Sequence, residues 1–232
     1  MKPDNLKTKI FLDSGNSEET KEALRLLGFL DGQTTNPTLI SKNPEVLEKL
    51  KTGNKLEEKE AFEFYKNTAQ KISKIIPSGS ISLEVYANKN TSAEEMLNQA
   101  KEMYSWIENA WIKFPTIPEG IKAAQIAIDE GMRVNMTLCF SQKQAAAVFV
   151  ALKDASPGQA FIFPFVGRLD DRGENGMDLI KNIIRIKKII KTNVEILTAS
   201  VRNLNHFLYA IYLGSDIITA PFLVLKEWQE KV

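Results

Sequence analysis

Ala110-Trp-Ile-Lys-Phe-Pro-Thr-Ile-Pro-Glu-Gly120 reads as a short strand, a proline-marked loop and the start of a helix. Thr116 and Glu119 have the spacing of a capping box, with Pro118 inside the first turn that such a box would open. The strand, Ala110 to Phe114, is apolar apart from Lys113. Burying an ammonium is costly unless a partner or a reaction uses it. An edge-strand lysine whose head reaches water would need neither. What surrounds this strand separates the two readings.

On either side, short apolar runs alternate with helical segments along nearly the whole chain. Upstream, Lys9–Asp13 is a strand, followed by a helix opening near Ser17 and ending near Gly28. A weak strand at Gly32–Thr35 is broken by Asn36-Pro37, and a long charged helical region runs from Pro44 to Ile76 with an interruption at Thr52–Asn54. Ser80–Tyr86 is the third strand, and Ser92 and Glu95 have capping-box spacing before the next helix. Downstream, Arg133–Cys139, Ala160–Pro164, Val194–Ala199 and Asp216–Thr219 read as strands, with Ser141 and Gln144 capping an alanine-rich helix. Eight strand–helix units in a chain of 232 residues predict a single (β/α)8 TIM barrel, one domain over 1–232 with no linker to divide it.

The composition narrows the function. A net charge of +1 predicts no pull toward nucleic acid or a membrane surface. One cysteine, Cys139, and one histidine, His206, leave no disulfide and no His- or Cys-built metal site, so no metal is expected. No apolar run is long enough to span a bilayer, and Met-Lys-Pro-Asp-Asn lacks the apolar core of a signal peptide. The expected location is cytoplasmic.

Strand side chains alternate between faces. With Ile10, Leu12, Leu83, Val85, Ile112, Phe114, Val134, Met136 and Leu138 toward the helices, Asp13, Glu84, Lys113, Asn135 and Thr137 point inward, late in their strands. Ile196, and by the same reading Ala199, lie outward in the seventh strand. The C-terminal strand ends are where such barrels carry their chemistry. A buried salt-bridge cluster is the structural alternative, expensive to assemble and weak as a source of stability. A lysine beside two carboxylates, without metal or histidine base, suits Schiff-base chemistry: the amine attacks a ketone, the iminium draws electrons, and a carboxylate moves the proton.

Two arginine-bearing turns follow. Pro164-Phe-Val-Gly-Arg168 ends the sixth strand, and Thr198-Ala-Ser-Val-Arg202 ends the seventh ahead of a helix. Guanidinium forks and a hydroxyl near a helix N-terminus suit a phosphate. Asp170-Asp-Arg172 reads as a solvated turn, His206 and Trp106 as structural residues, and Trp111 as packing or the floor of the site.

The segments Phe11-Leu-Asp13, Thr34-Thr-Asn-Pro37, Leu83-Glu-Val85, Ile112-Lys-Phe-Pro115, Asn135-Met-Thr-Leu138, Pro164-Phe-Val-Gly-Arg168 and Ala199-Ser-Val-Arg-Asn203, in this order, resemble the transaldolase family over most of the chain. The resemblance implies that Lys113 is the Schiff-base lysine and Asp13 the acid/base for carbon–carbon cleavage. It further implies that Glu84 and Thr137 hold a water and that Asn36 and Asn135 take the hydroxyls of a dihydroxyacetone unit. Phe165 is placed at the substrate, and Arg168, Ser200 and Arg202 at its phosphate. The implied substrates are sugar phosphates, with no cofactor. Glu84 favours a transferase over the similar fructose-6-phosphate aldolases, which usually carry glutamine there; a non-catalytic sugar-phosphate-binding relative is the third reading. Phe163 departs from the small residue usual at its position. The stretch from Leu47 to Ile76 is longer than in the smallest members, with no role legible in it. The chain stops soon after Trp228, without the longer C-terminal extension common in the family, which tells against the higher oligomers of its small members; a homo-oligomer stays open.

Overall fold

In the computed structural model, which describes residues 2–51 and 57–231, eight parallel strands close into a barrel in sequential order, with helices interleaved. This is the (β/α)8 TIM barrel predicted above. β1 (Lys9–Asp13) leads to α1 (Ser17–Leu27), and β2 (Gly32–Thr34) leads to α2 (Pro37–Ser41), α3 (Pro44–Lys51) and α4 (Glu58–Ile75). β3 (Ser80–Glu84), β4 (Ala110–Pro115) and β5 (Val134–Cys139) are followed by α5 (Ala93–Tyr104), α6 (Pro118–Asp129) and α7 (Gln142–Ala151). β6 (Ala160–Pro164) leads to α8 (Val166–Asp170) and α9 (Gly176–Ile190). β7 (Glu195–Thr198), α10 (Leu204–Leu213), β8 (Ile217–Ala220) and α11 (Phe222–Gln229) complete the circuit. β3 ends two residues before the predicted Tyr86, and the interruption predicted at Thr52–Asn54 lies outside the described residues.

Several helices begin where a side chain can satisfy one of their free N–H groups. Asn16 accepts from Glu18 N ahead of α1, and Gly28 closes that helix in the left-handed region at φ 71°. Ser92 and Glu95 form the predicted capping box of α5, and Ser141 caps α7. The box predicted for Thr116 and Glu119 does not form: Ile117 is the N-cap of α6, with Pro118 at its start. Thr116 Oγ1 instead donates to Thr137 O at 2.7 Å, and Glu119 Oε2 accepts from Ala93 N at 2.9 Å. Ties to neighbouring units outcompete the local cap.

Two apolar layers follow from the alternation of strand side chains. Ile10, Leu12, Leu83, Ile112, Phe114, Val134, Met136 and Ile196 face the helices, while Phe11, Phe161, Phe163, Leu197 and Ile217 fill the barrel, with Trp111 stacked on Phe161. Two predicted orientations are corrected. Ala199 belongs to the interior cluster. Leu138 does not pack on the helices: the register shifts between Met136 and Cys139, Leu138 adopts φ 60°, and its side chain lines the mouth. The bulge inserts one residue, so Cys139 takes the helix-facing place instead. Among the described residues, no helix is long and apolar enough to cross a membrane.

Candidate active site

Lys113 lies on β4 in register with Glu84 of β3 and Asn135 of β5, so three polar residues meet at one level of the interior. Its side chain is 1% exposed. Nζ stands 2.6 Å from Glu84 Oε2 and donates to Thr35 O at 3.1 Å. Its remaining side meets the face of Phe163, 4.7 Å from the ring centroid. The buried ammonium is thus surrounded by a carboxylate, a carbonyl and a π face, which answers the cost of placing it there.

Asp13, at the end of β1, is held by Thr34, whose Oγ1 donates to Oδ1 at 2.7 Å. Thr34 Oγ1 has spent its proton on Asp13, so Thr219 Oγ1, 2.7 Å away, donates to it. Loss of solvation raises the carboxyl above its ordinary value of 3.8; Thr34 and the charge of Lys113 oppose the rise, and Glu84 adds to it. A carboxyl raised in this way is suited to moving a proton.

Tyr65 and Thr35 had no functional reading in the sequence. Tyr65, fully buried on α4, accepts from Glu84 N at 2.8 Å. Thr35 Oγ1 donates to Ser82 O at 2.9 Å, so Tyr65 OH donates to Thr35 across 2.7 Å. The phenol thereby holds the backbone N–H of Glu84 and the side chain of Thr35, the two residues that touch Lys113 Nζ, and burial holds it protonated. This gives part of the charged 47–76 stretch a role. The available signal was aromatic: Phe62 and Tyr65 both pack edge-on against Trp106. Tyr65→Phe leaves Glu84 N without its partner, and denaturant unfolding should show a loss of about 1–3 kcal/mol.

A cleft of about 490 Å³ opens above these groups. Asp13, Asn36, Glu84, Phe165, Arg168, Ser200 and Arg202 line it, together with Leu138 and Phe163. Asn36 spends its Oδ1 as N-cap of α2, accepting from Leu39 N at 2.8 Å. Asn135 and Thr137 do not line the cleft. Both are fully buried, Asn135 Nδ2 donates to Ser82 Oγ, and Asn135 Oδ1 and Thr137 Oγ1 lack hydrogen-bond partners among the described residues.

On the far side, α8 and the turn after β7 bring Arg168, Ser200 and Arg202 together. Gly167 N donates to Ser200 O at 3.0 Å, and a Cβ on Gly167 would stand 2.3 Å from that oxygen and 2.5 Å from Arg202 Cγ. Only glycine lets the turns approach so closely. Ser200 adopts φ 59°, so the cleft holds two non-glycine residues in the left-handed region, Ser200 and Leu138. Arg168 lies over the Phe165 ring at 5.4 Å. Asp171 and Arg172 form the exposed turn predicted from their composition, whereas Asp170 ends α8 and is half-buried; all three are nevertheless engaged. Asp170 accepts from Gly176 N and stands 3.0 Å from His206 Nε2, Asp171 pairs with Arg202 at 2.8 Å, and Arg172 lies over Phe140. Acidic residues here set the geometry of the cationic turns.

The cleft therefore carries two carboxylates, Asp13 and Glu84, and two arginines, with the amine of Lys113 buried behind Glu84, residue types suited to carbonyl attack, proton transfer and the holding of an anion. The sequence matches the family model described as Transaldolase/Fructose-6-phosphate aldolase over residues 10–232. A "Probable transaldolase" of Dehalococcoides mccartyi is 38% identical over 222 residues, 96% of this chain and 90% of that protein. Proteins of the same name from Thermoplasma volcanium and Brucella ovis are each 40% identical, covering 94% of this chain and 86% and 87% of their own lengths. Among solved structures, a thiamine phosphate pyrophosphorylase from Pyrococcus furiosus superposes with a TM-score of 0.59 at 10% identity, covering 97% of this chain and 95% of that one. A 3-hexulose-6-phosphate synthase from Salmonella typhimurium gives the same TM-score at 12% identity, covering 97% of both chains. At such identities the two structures share the fold alone.

Proposed function

The chain belongs to the transaldolase/fructose-6-phosphate aldolase family, and from that membership we propose that it is a transaldolase working through a Schiff base on Lys113. The donor is a ketose phosphate, fructose 6-phosphate or sedoheptulose 7-phosphate, the unit moved is dihydroxyacetone, and the acceptor is an aldose phosphate. The observation that carries the reading is Lys113 Nζ, buried, 2.6 Å from Glu84, which lines the cleft together with Asp13 and the two arginines.

Glu84 takes a proton from Nζ, and the free amine adds to the ketone carbon. Loss of water from the carbinolamine leaves an iminium; Glu84 returns the proton that the departing oxygen needs. Thr137, with its uncommitted hydroxyl, is the second ligand of that water. Asp13 then removes the proton of the hydroxyl next to the scissile bond, the carbon–carbon bond breaks, and its electrons pass into the iminium. An aldose phosphate leaves. Addition of the resulting enamine to a new aldehyde, followed by hydrolysis, reverses the sequence. Asn36 serves the hydroxyls of the reacting arm, Phe165 backs Arg168, and Arg168, Ser200 and Arg202 hold the phosphate. Such a reaction belongs to the non-oxidative pentose phosphate pathway, in the cytoplasm.

Glyceraldehyde 3-phosphate release from fructose 6-phosphate, with and without erythrose 4-phosphate, tests the reading. Release that needs the acceptor is expected. Equal release without it would make the protein an aldolase.

A further inference from the structure

The reading of Arg168, Ser200 and Arg202 as a phosphate site, on which this inference rests, requires two separate turns to hold one geometry. Arg168 belongs to α8, after β6, whereas Ser200 and Arg202 belong to the turn between β7 and α10. Backbone bonds join the two at their near ends: Val166 N donates to Ala199 O and Gly167 N to Ser200 O, each at 3.0 Å. Arg202 lies beyond these bonds. Its guanidinium pairs with Asp171 at 2.8 Å, but both side chains are more than half exposed, and water screens such a pair.

The backbone of Arg202 is held by His206, the single histidine of the chain. Asn203 caps α10 by accepting from His206 N at 2.9 Å, which sets the imidazole on the first turn of that helix. From there the ring folds back: Nδ1 accepts from Arg202 N at 3.4 Å, and Nε2 stands 3.0 Å from Asp170 Oδ2. A nitrogen that accepts has no proton, so the neutral ring carries its proton on Nε2, the side that faces the carboxylate. Asp170 Oδ2 is sealed from solvent and finds no other partner among the described residues, while Oδ1 accepts from Gly176 N. Asp170 is the last residue of α8, the helix that carries Arg168. The largely buried ring therefore spans from the end of one anion-binding element to the backbone of the other.

We infer that His206 is a positioning residue of the anion-binding rim: it is the hydrogen-bond acceptor that fixes Arg202 relative to Arg168, and it touches no substrate itself. It is not among the residues lining the cleft with Asp13 and Glu84, so its role concerns the charged tail and not the reacting carbons. Hydrogen bonding, not charge, is the working property, because an imidazolium carries a proton on Nδ1 and cannot accept from Arg202 N.

The test compares erythrose 4-phosphate with erythrose as acceptors at saturating fructose 6-phosphate, in wild type, His206→Ala, His206→Asn and His206→Gln, with unfolding midpoints measured beside the kinetics. Wild type should prefer the phosphorylated acceptor. His206→Ala should lose roughly three- to thirtyfold of that preference, the effect of one or two such bonds, through KM and with kcat retained. Asparagine places an oxygen where Nδ1 stands and should restore most of the preference. Glutamine reaches toward Asp170 but offers Arg202 N no acceptor, and should not. Borohydride trapping on Lys113 of dihydroxyacetone, a ketone without phosphate, should match wild type in all three variants. A folded His206→Ala protein with the wild-type preference overturns the inference, as do asparagine and glutamine variants that behave alike, or three variants none of which folds. If alanine alone fails to fold, the asparagine–glutamine comparison decides. Wild type that uses both acceptors equally overturns the phosphate reading of the rim, and wild type that uses neither overturns the proposed function; the inference falls with either.

Discussion

Lys113→Met should lose turnover by about four orders of magnitude or more, because the electron sink for carbon–carbon cleavage is a covalent bond to Nζ and no other lysine among the described residues is buried. Methionine is chosen over alanine because it fills most of the lysine's volume, keeping the loss of chemistry apart from a cavity. The substitution also takes the counter-charge from Glu84 and Asp13, so the variant's unfolding midpoint should be measured beside its kinetics. Rates come from coupled glyceraldehyde 3-phosphate release, and borohydride trapping with a ketone should yield no adduct. A folded Lys113→Met protein turning over within tenfold of wild type would contradict the assignment.

Asp13→Asn should lower kcat by about two to four orders of magnitude while leaving imine formation intact, since Asp13 is assigned to the bond-breaking proton and not to attack on the carbonyl. The signature is a trapped adduct without turnover. The same change should stabilise the protein at neutral pH. In the folded state the Asp13 carboxyl is raised above 3.8, chiefly by loss of solvation. A raised carboxyl contributes stability that is fully present below its unfolded value and is lost as pH rises through the folded one. At pH 7 the wild type has therefore lost stability that asparagine, which does not titrate, retains. The difference in unfolding midpoint should grow from about pH 4 upward and level off once pH exceeds the folded pKa. Activity lost with stability gained identifies a group kept for chemistry rather than for the fold.

Much of this site is legible in the sequence because the barrel imposes a two-residue period. Asp13, Glu84, Lys113 and Asn135 stand out as polar residues on strand positions whose neighbours are apolar; Asp13 and Glu84 line the cleft, and Lys113 and Asn135 lie buried behind it. The period fails where a residue is inserted. Nothing in Asn135-Met-Thr-Leu-Cys139 announces the bulge, since leucine is poorly suited to a positive φ and the conformation is imposed by the strands around it. That one residue decides whether Leu138 belongs to the core or to the cleft. Tyr65 was hidden for another reason: it serves Glu84 from a helix that reads locally as a solvated charged face. Thr116 and Glu119 had correct capping spacing, yet each found a better partner in another unit of the barrel. Local pattern predicts which elements form; it does not rank the long-range partners that compete for their polar ends.

The inserted residue also fixes the fate of the chain's single sulfhydryl. Cys139 is displaced into the helix-facing layer, has no exposure, and burial pushes its thiol up to about 12. At neutral pH an alkylating reagent meets almost no thiolate and no accessible sulfur until β5 separates from its surroundings. The rate at which such a reagent modifies the protein therefore reads the opening of the barrel directly, so the molecule carries its own probe of local unfolding at one defined position, with no substitution needed to install it.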